Sequence, residues 1–541
     1  MKTLIKNGTI ITADREYRAD VLIEEEKISA IGEKLTCEAD CVIDASGKYV
    51  MPGGVDQHTH FSALCNVGDR DTAGYETTDA VITGGTTTIV DFAPQDPDVG
   101  LLDSIDYRIN VRAKGKSCVD FALHAMVTSL MDSIFDEIKY FPEKGISNIK
   151  IFMAYNGSRM HTDDGSFFRI LEEAGKVGVT VFVHAESGEI ISFLRRECVK
   201  KGLLAPKYHY VSRPPHTEAE GVHRACYLAG KTGTPLYVVH VTCREALEEL
   251  RHARARGINV NGETCTHYLT VTKDALDNED FNEAAKYVCS PALRDREDID
   301  ALWDALNEGL LSGISSDHCG IDVAELKQAG RDDFTLIPNG SPGAGDRFHM
   351  IWTEGVAKGK ISRTKFVELI ATSPAKINGI FPKKGTIQVG SDADIVIFDP
   401  EYRGVIRLTD NPNGVDYNIY EGKEQIGRVE TVLLRGRVAV ENAKFVGELT
   451  IVHASQSGRD GYQVTDHWDK APRQCGCYTM IIEIFLALFH LFLIQQTHLA
   501  PFAVGKLIDD RATYIEGDEV VDAGTDICTE GGKEDDQKHI E

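Results

Sequence analysis

Short apolar runs and longer helical patterns alternate through the middle of the chain. Between Pro52 and about Pro382, runs of β-type residues are separated by segments with helical periodicity. This alternation is typical of βαβ units around a parallel sheet. The candidate barrel strands are 49–58, 86–92, 120–127, 148–155, 180–186, 235–242, 258–265 and 313–318. Eight such units predict an α/β fold, a (β/α)8 TIM barrel with its chemistry at the carboxyl ends of the strands.

The segments on either side of this region have a different sequence pattern. Short β-rich runs separated by turn residues occur at 3–12 and 19–24, and again at 393–398 and 429–438. We expect both flanks to build one small β-sandwich domain. The predicted domains are 1–52 (first part of the β-sandwich), 53–382 (barrel), 383–448 (second part of the β-sandwich) and 449–541 (a C-terminal extension of unknown role).

Composition and charge narrow the class of partner. Hydrophobic residues make up 42% and charged residues 26%, which is ordinary for a soluble globular protein. The net charge of −26 repels phosphate backbones and anionic lipid surfaces. We therefore expect a small-molecule substrate, with neither nucleic acid nor a membrane as partner. Thirteen scattered cysteines and an opening segment without secretory character predict a cytoplasmic protein.

The C-terminal extension carries features that do not fit the rest of the chain. The apolar stretch 478–494 is near the short limit for crossing a bilayer, but Glu483 and His490 interrupt it. We expect a docked helix there, and a solvated or disordered acidic end at 509–541. Cys475 and Cys477 form too short a pair for a zinc site without partners. A non-native extension of the reading frame would also explain the change in character.

Four candidate strands end in histidine-containing segments. These segments are Val55-Asp-Gln-His58-Thr-His60, Val181-Phe-Val-His184-Ala-Glu186, Tyr237-Val-Val-His240-Val241 and Ser315-Ser-Asp317-His318. Because side chains alternate along a strand, His58 and His60 project to the same side and can reach one metal. For any single histidine the alternative is a hydrogen-bonded residue at a strand end, and we interpret His124 in that way.

Lys150 lies among apolar neighbours in Ile149-Lys-Ile-Phe-Met153. A buried ammonium is costly unless it is paired or neutralised. Reaction of the neutral amine with carbon dioxide would give a carbamate, which could bridge two metals. The alternative is a lysine whose head reaches out to a carboxylate.

Several further segments occur in the order typical of one family. They include Pro52-Gly-Gly-Val-Asp-Gln-His-Thr-His60, Gly84-Gly-Thr-Thr-Thr-Ile-Val-Asp91, Gly145-Ile-Ser-Asn-Ile-Lys-Ile-Phe-Met-Ala-Tyr155, Glu263-Thr-Cys-Thr-His-Tyr268, Cys289-Ser-Pro291, Ser316-Asp-His-Cys319, Ile337-Pro-Asn-Gly340 and Gly390-Ser-Asp-Ala-Asp394. From about Lys2 to Gly447 the chain resembles the dihydropyrimidinase and D-hydantoinase branch of the amidohydrolase superfamily.

The resemblance implies a binuclear metal site. His58, His60 and Asp317 would hold the more buried ion, and His184 and His240 the outer one. Carboxylated Lys150, an N6-carboxylysine, would bridge both ions. Nitrogen and oxygen ligands with open positions favour two zinc ions, although manganese or cobalt could occupy the same site.

The resemblance also implies a reaction. A metal-bound hydroxide would attack the ring carbonyl, while Asp317 accepts its proton and returns it to the leaving nitrogen. Tyr155 would donate to the oxyanion, and Ser290 and Asn339 would bind the amide edge of the ring. The alternatives are a structural Asp317, a core aromatic at Tyr155, and simple turn chemistry in the glycine-rich segment 340–345. His318 would support the ligands or be a purely structural histidine.

The implied function is hydrolytic ring opening of a 5,6-dihydropyrimidine or a 5-substituted hydantoin to an N-carbamoyl amino acid, by a homotetramer or dimer. Dihydroorotase would need a basic residue soon after the HxH, where this chain has Phe61-Ser-Ala63. Allantoinase is a closer rival, although Tyr155 favours hydantoinase. A non-enzymatic scaffold relative is the third alternative, but every expected ligand position is filled. The segment 61–68 departs from the Pro-containing loop that is common in the best-known hydantoinases. The preferred ring substituent and stereoisomer are therefore left open.

Overall fold

The strands follow one another from the amino terminus to residue 445. The computed structural model describes residues 1–65, 70–411 and 413–447. In chain order the strands are β1 Lys2–Lys6, β2 Thr9–Ile11, β3 Glu16–Arg18, β4 Asp20–Glu24, β5 Lys27–Gly32, β6 Cys41–Asp44, β7 Tyr49–Pro52, β8 Gly54–Thr59, β9 Leu64–Cys65, β10 Arg70–Asp71, β11 Thr86–Pro94, β12 Asp120–Met126, β13 Asn148–Phe152, β14 Thr180–His184, β15 Leu236–Val238, β16 Val260–Gly262, β17 Thr264–Cys265, β18 Ile314–Ser315, β19 Ile395–Val405, β20 Glu424–Leu434, β21 Arg437–Glu441 and β22 Lys444–Phe445.

The helices lie between strands β10 and β19. The α-helices are α1 Thr78–Thr83, α2 Leu101–Tyr107, α3 Ser133–Glu137, α4 Asp164–Val177, α5 Gly188–Lys200, α6 Tyr208–Val211, α7 Pro215–Thr232, α8 Arg244–Ala255, α9 Phe281–Ala285, α10 Arg296–Asn307, α11 Arg347–Ile351, α12 Arg363–Val367 and α13 Ser373–Ile377. Three π-helical segments, Arg108–Ala113, Trp352–Val356 and Glu368–Thr372, directly follow α2, α11 and α12.

Parallel strands form the predicted TIM-barrel-like domain. Seven of them hydrogen-bond in the order β16-β15-β14-β13-β12-β11-β8, and β17 pairs in parallel with β18. A parallel bridge between Thr59 and His318 then joins the first barrel strand, β8, to the last, β18. In this bridge the His60 amide donates to the His318 carbonyl at 2.8 Å. This arrangement brings the carboxyl ends of the strands together at one mouth.

Two further sheets form the β domain. The smaller has the order β5-β4-β1-β6, and the larger has the order β22-β21-β20-β19-β7-β2-β3. Both sheets bury side chains in one shared core that includes Ile5, Val21, Ile23, Val50, Ile395 and Leu433. Strands from both flanks of the barrel therefore meet in one β-sandwich. The exact domain boundaries stay a prediction.

The first candidate barrel strand was predicted wrongly as one element. The run 49–58 is divided at Gly53: β7 pairs with β19 and β2 in the β domain, and β8 starts the barrel. A Cβ on Gly53 would lie 2.1 Å from the Thr87 hydroxyl, so only glycine fits where the chain changes sheets. The apolar pattern is continuous across this point because both strands are buried.

The predicted strand 258–265 is also divided into two strands, β16 and β17, although both belong to the barrel. Val260–Gly262 pairs with β15, and Thr264–Cys265 pairs with β18. Glu263 lies between the two pieces, and its carbonyl accepts from the Val241 amide at 2.7 Å. Because of this break, one run of chain pairs with β15 through its first part and with β18 through its second part.

Local sequence signals fix the ends of the long outer helices. Asp163 caps α4 by accepting from the amides of Gly165 and Ser166, and Gly178 ends it with φ +73°. Pro215 occupies the first position of α7, and Gly233 ends that helix with φ +73°. These helices pack their apolar faces against the barrel strands, which positions the strand ends.

Some expectations fall on residues outside the described ones. They concern the apolar stretch 478–494, the acidic run 509–541 and the cysteines Cys475 and Cys477. Within residues 1–65, 70–411 and 413–447, the helices are all too short or too polar to span a bilayer.

Candidate active site

A cavity of about 170 Å³ opens at the carboxyl ends of the barrel strands. Its wall includes His58, His60, Lys150, Tyr155, His184, His240, Ser290, Asp317 and Asn339. The structure thus brings together all of the residues that the sequence indicated for the site. Much of the remaining wall is apolar, with Ala63, Met126, Phe152, Met160 and Ile321.

His58, His60 and Asp317 form a possible metal site. The Nε2 atoms of His58 and His60 lie 3.1 and 3.2 Å from the Oδ1 atom of Asp317. One ligand atom from each of the three lies within 4.8 Å of the others. Both histidines come from the end of β8 and the residue after it, whose alternation directs them to one side. Two nitrogens and one carboxylate oxygen suit a divalent ion such as zinc.

His184 and His240 lie beside this cluster. Their ring centroids are 4.5 Å apart, and the ring of His240 is 5.4 Å from that of His58. Both side chains are buried, and Nδ1 of His240 has no hydrogen-bond partner among the described residues. Burial, together with the nearby His184, lowers the pKa of His240 well below its ordinary value, so its ring is neutral and able to bind a metal ion.

Lys150 lies on β13 with its side chain only 1% exposed. Its Nζ atom is 5.2 Å from the ring centroid of Phe92 and 5.1 Å from that of Phe152. Among the described residues no carboxylate lies within 4 Å of this ammonium. Burial lowers the pKa of Lys150 to about 7, so a large fraction is neutral amine at physiological pH. These contacts lack the carboxylate that the alternative interpretation of this lysine requires.

A buried carboxylate orients His58. Its Nδ1 atom lies 2.7 Å from Oε1 of Glu263, and the amide of Gln57 donates to Oε2 of Glu263 at 2.7 Å. A histidine that donates through Nδ1 presents Nε2 as its free ligand atom, and Nε2 is the atom that faces Asp317.

A second carboxylate orients His184, but through the other nitrogen of the ring. Nε2 of His184 lies 2.7 Å from Oε2 of Glu186, which also accepts from Arg213. This contact leaves Nδ1 as the free ligand atom of His184. From the sequence alone, Glu186 and Glu263 had no predicted role. The signal that could have found them is an acidic residue inside an apolar strand end, where burial without a partner is improbable.

The charged groups of this cluster shift one another's pKa values. Burial and the ion pair act in opposite senses on Asp317, and the neighbouring His58 and His60 keep its pKa well below the ordinary value. Burial likewise opposes the charge on His58, yet Asp317 and Glu263 raise its pKa to about 9. A pKa of about 9 favours the imidazolium form of His58 at neutral pH, so a metal ion that binds this ring must displace a proton.

Three residues of the pocket have left-handed backbone conformations. Tyr155, His240 and Asp317 have φ values of +64°, +42° and +49°. Each follows a barrel strand, and side chains rarely adopt this conformation without compensation from the surrounding structure. The left-handed residues turn the chain sharply at the barrel mouth, where their side chains line the pocket.

Tyr155 and Ser290 provide hydroxyl groups beside the histidines. The Tyr155 ring centroid is 5.3 Å from that of His184, and burial raises the pKa of Tyr155 to about 12. The phenol is therefore neutral and able to donate at physiological pH. The Ser290 hydroxyl is buried and has no hydrogen-bond partner in the described part of the chain. Both groups can hydrogen-bond a polar substrate.

A buried lysine anchors the segment that carries Asn339. Nζ of Lys327 donates to the carbonyls of Gly340 at 2.7 Å, Pro338 at 3.3 Å and Val288 at 3.2 Å. Three backbone acceptors compensate the buried ammonium, although burial still lowers its pKa to about 8. The anchor holds segment 338–340 against the segment before Ser290.

Two further histidines near the site, His318 and His124, have structural contacts. His318 stacks on Phe61 with centroids 4.6 Å apart, and its Nδ1 accepts from the Gly343 amide at 3.2 Å. This geometry favours the structural alternative for His318. His124 bonds through Nε2 to the Gln57 carbonyl at 3.0 Å, as expected for a residue near a strand end.

Comparison with known proteins agrees with this geometry. The amidohydrolase family matches residues 49–439 of the chain. The chain therefore belongs to the amidohydrolase family. Within it, the chain is 48% identical over 451 residues to a D-hydantoinase of Ralstonia pickettii, an alignment that covers 83% of this chain and 97% of the relative.

Solved structures have the same fold. A dihydropyrimidinase from Brevibacillus agri NCHU1002 superposes with a TM-score of 0.82 at 42% identity, covering 85% of this chain and 100% of that one. An L-hydantoinase (dihydropyrimidinase) from Arthrobacter aurescens superposes with a TM-score of 0.76 at 30% identity, covering 82% and 97%. Relatives named for opposite stereochemistry share this fold, so the fold alone does not determine stereoselectivity.

Proposed function

We propose that this chain hydrolyses a cyclic amide, opening a 5-substituted hydantoin or a 5,6-dihydropyrimidine to the corresponding N-carbamoyl amino acid. The observation that carries the proposal is one pocket lined by four histidines, Lys150 and Asp317. It occurs in a chain 48% identical to a D-hydantoinase. The resemblance, the family and the donor set support metal-assisted hydrolysis.

The pocket has ligands for two divalent ions, with zinc as our choice and manganese or cobalt as alternatives. His58, His60 and Asp317 would hold the more buried ion, and His184 and His240 the outer one. Two observations support the fit: the buried, neutral ring of His240 beside His184, and the buried Lys150 without a carboxylate. The donor set is nitrogen and oxygen, which suits all three metals.

Lys150 would serve as the bridging ligand after carboxylation. Its neutral amine attacks carbon dioxide, a C–N bond forms, and one proton leaves to solvent. The product, an N6-carboxylysine, carries one negative charge on two oxygens. The pKa of about 7 supports this step, because only the neutral amine is nucleophilic.

When bound, the ions would polarise the ring carbonyl and make a water nucleophilic at neutral pH. Asp317 would accept the proton of the attacking water. It would then return that proton to the ring nitrogen as the C–N bond breaks, since an amide nitrogen leaves poorly as an anion. Its position 3.1 and 3.2 Å from two histidines supports a role at the reacting centre.

Tyr155, Ser290 and Asn339 would bind the substrate. The neutral Tyr155 phenol would donate to the carbonyl oxygen as negative charge develops there. Ser290 and Asn339, together with neighbouring backbone, would bind the amide edge of the ring. The unpartnered Ser290 hydroxyl supports this assignment, because a buried hydroxyl without a partner is costly.

The apolar part of the wall favours a hydrogen, alkyl or aryl substituent on the ring. In the described wall of the pocket, Lys150 is the one lysine or arginine, and residues 66–69 are Asn, Val, Gly and Asp. A ring carboxylate would find no other basic partner there, which disfavours a dihydroorotase. The polar ureido group of allantoin is also poorly matched by Met126, Met160 and Ile321.

We also propose a cytoplasmic homo-oligomer, a tetramer or a dimer. The family resemblance supports the assembly, and the odd number of scattered cysteines supports the compartment. Light scattering of the purified full-length chain at several concentrations would give the mass. A mass of one chain at all concentrations would contradict the assembly.

The test is hydrolysis of dihydrouracil, phenylhydantoin, allantoin and dihydroorotate by the purified zinc-loaded protein, with metal counted on the same sample. We expect turnover of dihydrouracil or phenylhydantoin with two metals per chain. Turnover of only allantoin or dihydroorotate would assign a different branch of the family. No metal and no turnover would support a scaffold protein instead.

A further inference from the structure

A second cavity, of about 400 Å³, lies between the barrel and the β domain. Its wall comes from the ends of α1 and β19, the start of α11, the loop after β19, strand β20 and the turn before β22. The two cavities share no lining residue in the described part of the chain. This volume is in the range of small-molecule sites.

Three cations converge on this cavity. Arg407, Arg428 and Lys444 line it, and none of the three has a carboxylate within 4 Å among the described residues, although Asp410 also lines the wall. The Arg428 guanidinium lies over the Tyr402 ring at 4.4 Å, which holds it in place. Unpaired cations are unexpected in a chain with 84 acidic and 58 basic residues. Their convergence favours an anionic ligand.

The wall of this cavity also contains hydrogen-bond acceptors. Asn411 is only 8% exposed, and its Nδ2 donates to the Ala80 carbonyl at 3.1 Å, which fixes the orientation of the amide. This orientation leaves Oδ1 of Asn411 buried with no hydrogen-bond partner in the structure as described. An acceptor left unpaired in this way is costly, so it points to a missing N–H donor.

Asp346 adds a second acceptor to the wall. It is buried, and its Oδ2 accepts from the side-chain amides of Asn413 at 3.1 Å and Asn418 at 2.8 Å. In the described ranges it has no cation within 4 Å. Burial raises the pKa of Asp346 to about 7, so above that pH it is a carboxylate that can accept from a ligand's N–H group.

We propose that this cavity binds a small carboxylate that also carries N–H donors. The carboxylate would lie against Arg407, Arg428 and Lys444, and the N–H groups would reach Asn411 and Asp346. Amino acids and N-carbamoyl amino acids both have this chemistry. Inorganic phosphate would satisfy the cations alone. The inference stands apart from the proposed function, because it concerns binding at a separate cavity.

Calorimetry on the full-length protein tests the proposal, with N-carbamoyl-β-alanine, β-alanine, propionate and inorganic phosphate as probes. We expect at least one N–H-bearing probe to bind this cavity at least about tenfold more tightly than propionate or phosphate, since a charge-assisted hydrogen bond is worth that much. Comparable binding of propionate or phosphate would overturn the requirement for N–H donors. Binding of neither N–H-bearing probe would overturn the whole proposal.

The double variant Arg407→Gln/Lys444→Gln locates the binding, because both side chains are exposed and their loss should not unfold the protein. It should weaken the tight event about tenfold or more. Binding of N-carbamoyl-β-alanine at the substrate pocket, which contains neither residue, would be unchanged. The matched control is Arg403→Gln, an exposed arginine of β19 that does not line the cavity. Equal affinity of the double variant and the control would overturn the site.

Discussion

Each of two proposed ligand histidines is held by its own buried carboxylate. Glu263 contacts Nδ1 of His58, and Glu186 contacts Nε2 of His184, both at 2.7 Å. These contacts select which nitrogen of each ring is free for a metal. The pair of carboxylates therefore explains how two histidines on different strands can present different ring nitrogens to one centre.

Replacing Glu263 tests this positioning. Glu263→Gln should weaken metal binding about 10- to 100-fold, because a neutral amide accepts more weakly from Nδ1 of His58 and can turn its NH2 group towards the ring. Metal affinity of the purified variant, measured by competition with a chelator, gives the result. The matched control is Glu249→Gln, since Glu249 contacts His223 at the same 2.7 Å but on the surface. Unchanged affinity in Glu263→Gln would remove the positioning role.

The proton on His58 predicts how metal binding depends on pH. Its pKa, raised to about 9 in the metal-free protein, means that one proton must leave for each ion bound there. Affinity should therefore rise by about tenfold per pH unit between pH 7 and 9, and level off above it. Titration of metal into the stripped protein at several pH values measures this slope. An affinity independent of pH over that range would contradict the assignment.

Lys150→Ala tests the bridging ligand. We expect loss of both metals and of activity with a folded barrel, because water cannot replace a ligand that joins two ions. Metal content, turnover and circular dichroism on one sample separate these outcomes. Asp317→Asn is the comparison: it should retain at least one metal and lose most of its turnover. Full activity of Lys150→Ala would exclude the carbamate.

At the scale of elements, the segment 338–340 depends on one buried cation. Lys327 donates to the carbonyls of Val288, Pro338 and Gly340, which joins the two segments that carry Ser290 and Asn339. Without the ammonium, three carbonyls lose a charged donor. The anchor therefore links protein stability to the shape of the substrate pocket.

Lys327→Met should raise KM about tenfold with a smaller change in kcat, because substrate contacts rather than the metal centre are disturbed. Steady-state kinetics with the preferred ring measures both constants. Lys207→Met serves as the control, since its ammonium pairs with Asp277 on the surface at 3.0 Å. A variant with KM unchanged would show that segment 338–340 is held by other contacts.

The elements also show how far the sequence could predict the fold. The eight barrel strands and the ligand-bearing strand ends follow from periodicity and from the histidine segments. The break at Gly53 did not follow, because a buried strand of either sheet has the same apolar pattern. Glu263 and Glu186 were missed as supports, since their role depends on which strands become neighbours. Lys327 was missed for the same reason: its three acceptors lie 11 to 39 residues away.

At the scale of the whole molecule, a buried ion cluster ties the barrel to the β domain. Lys384 is 1% exposed and pairs with Asp394 at 2.7 Å, Asp392 at 2.9 Å and Asp120. Asp120 starts barrel strand β12, while Asp392 and Asp394 precede β19 of the β domain. One cation thus compensates carboxylates from both domains.

Lys384→Met should lower the free energy of unfolding by about 3–5 kcal/mol, because it leaves buried carboxylates without their cation. Lys27→Met is the matched control: Lys27 pairs with the same Asp392, but its side chain is 49% exposed. The control should change stability by less than about 1 kcal/mol. Urea unfolding of both variants compares them, and equal losses would contradict the importance of the buried cluster.

The most direct test of the account is the metal dependence of ring opening. Protein stripped with a chelator should not hydrolyse dihydrouracil or phenylhydantoin. Stepwise addition of zinc in the presence of bicarbonate should restore turnover, with the end point at two ions per chain. Full turnover by the stripped protein, or no turnover of any cyclic amide at two bound ions, would contradict metal-assisted ring opening.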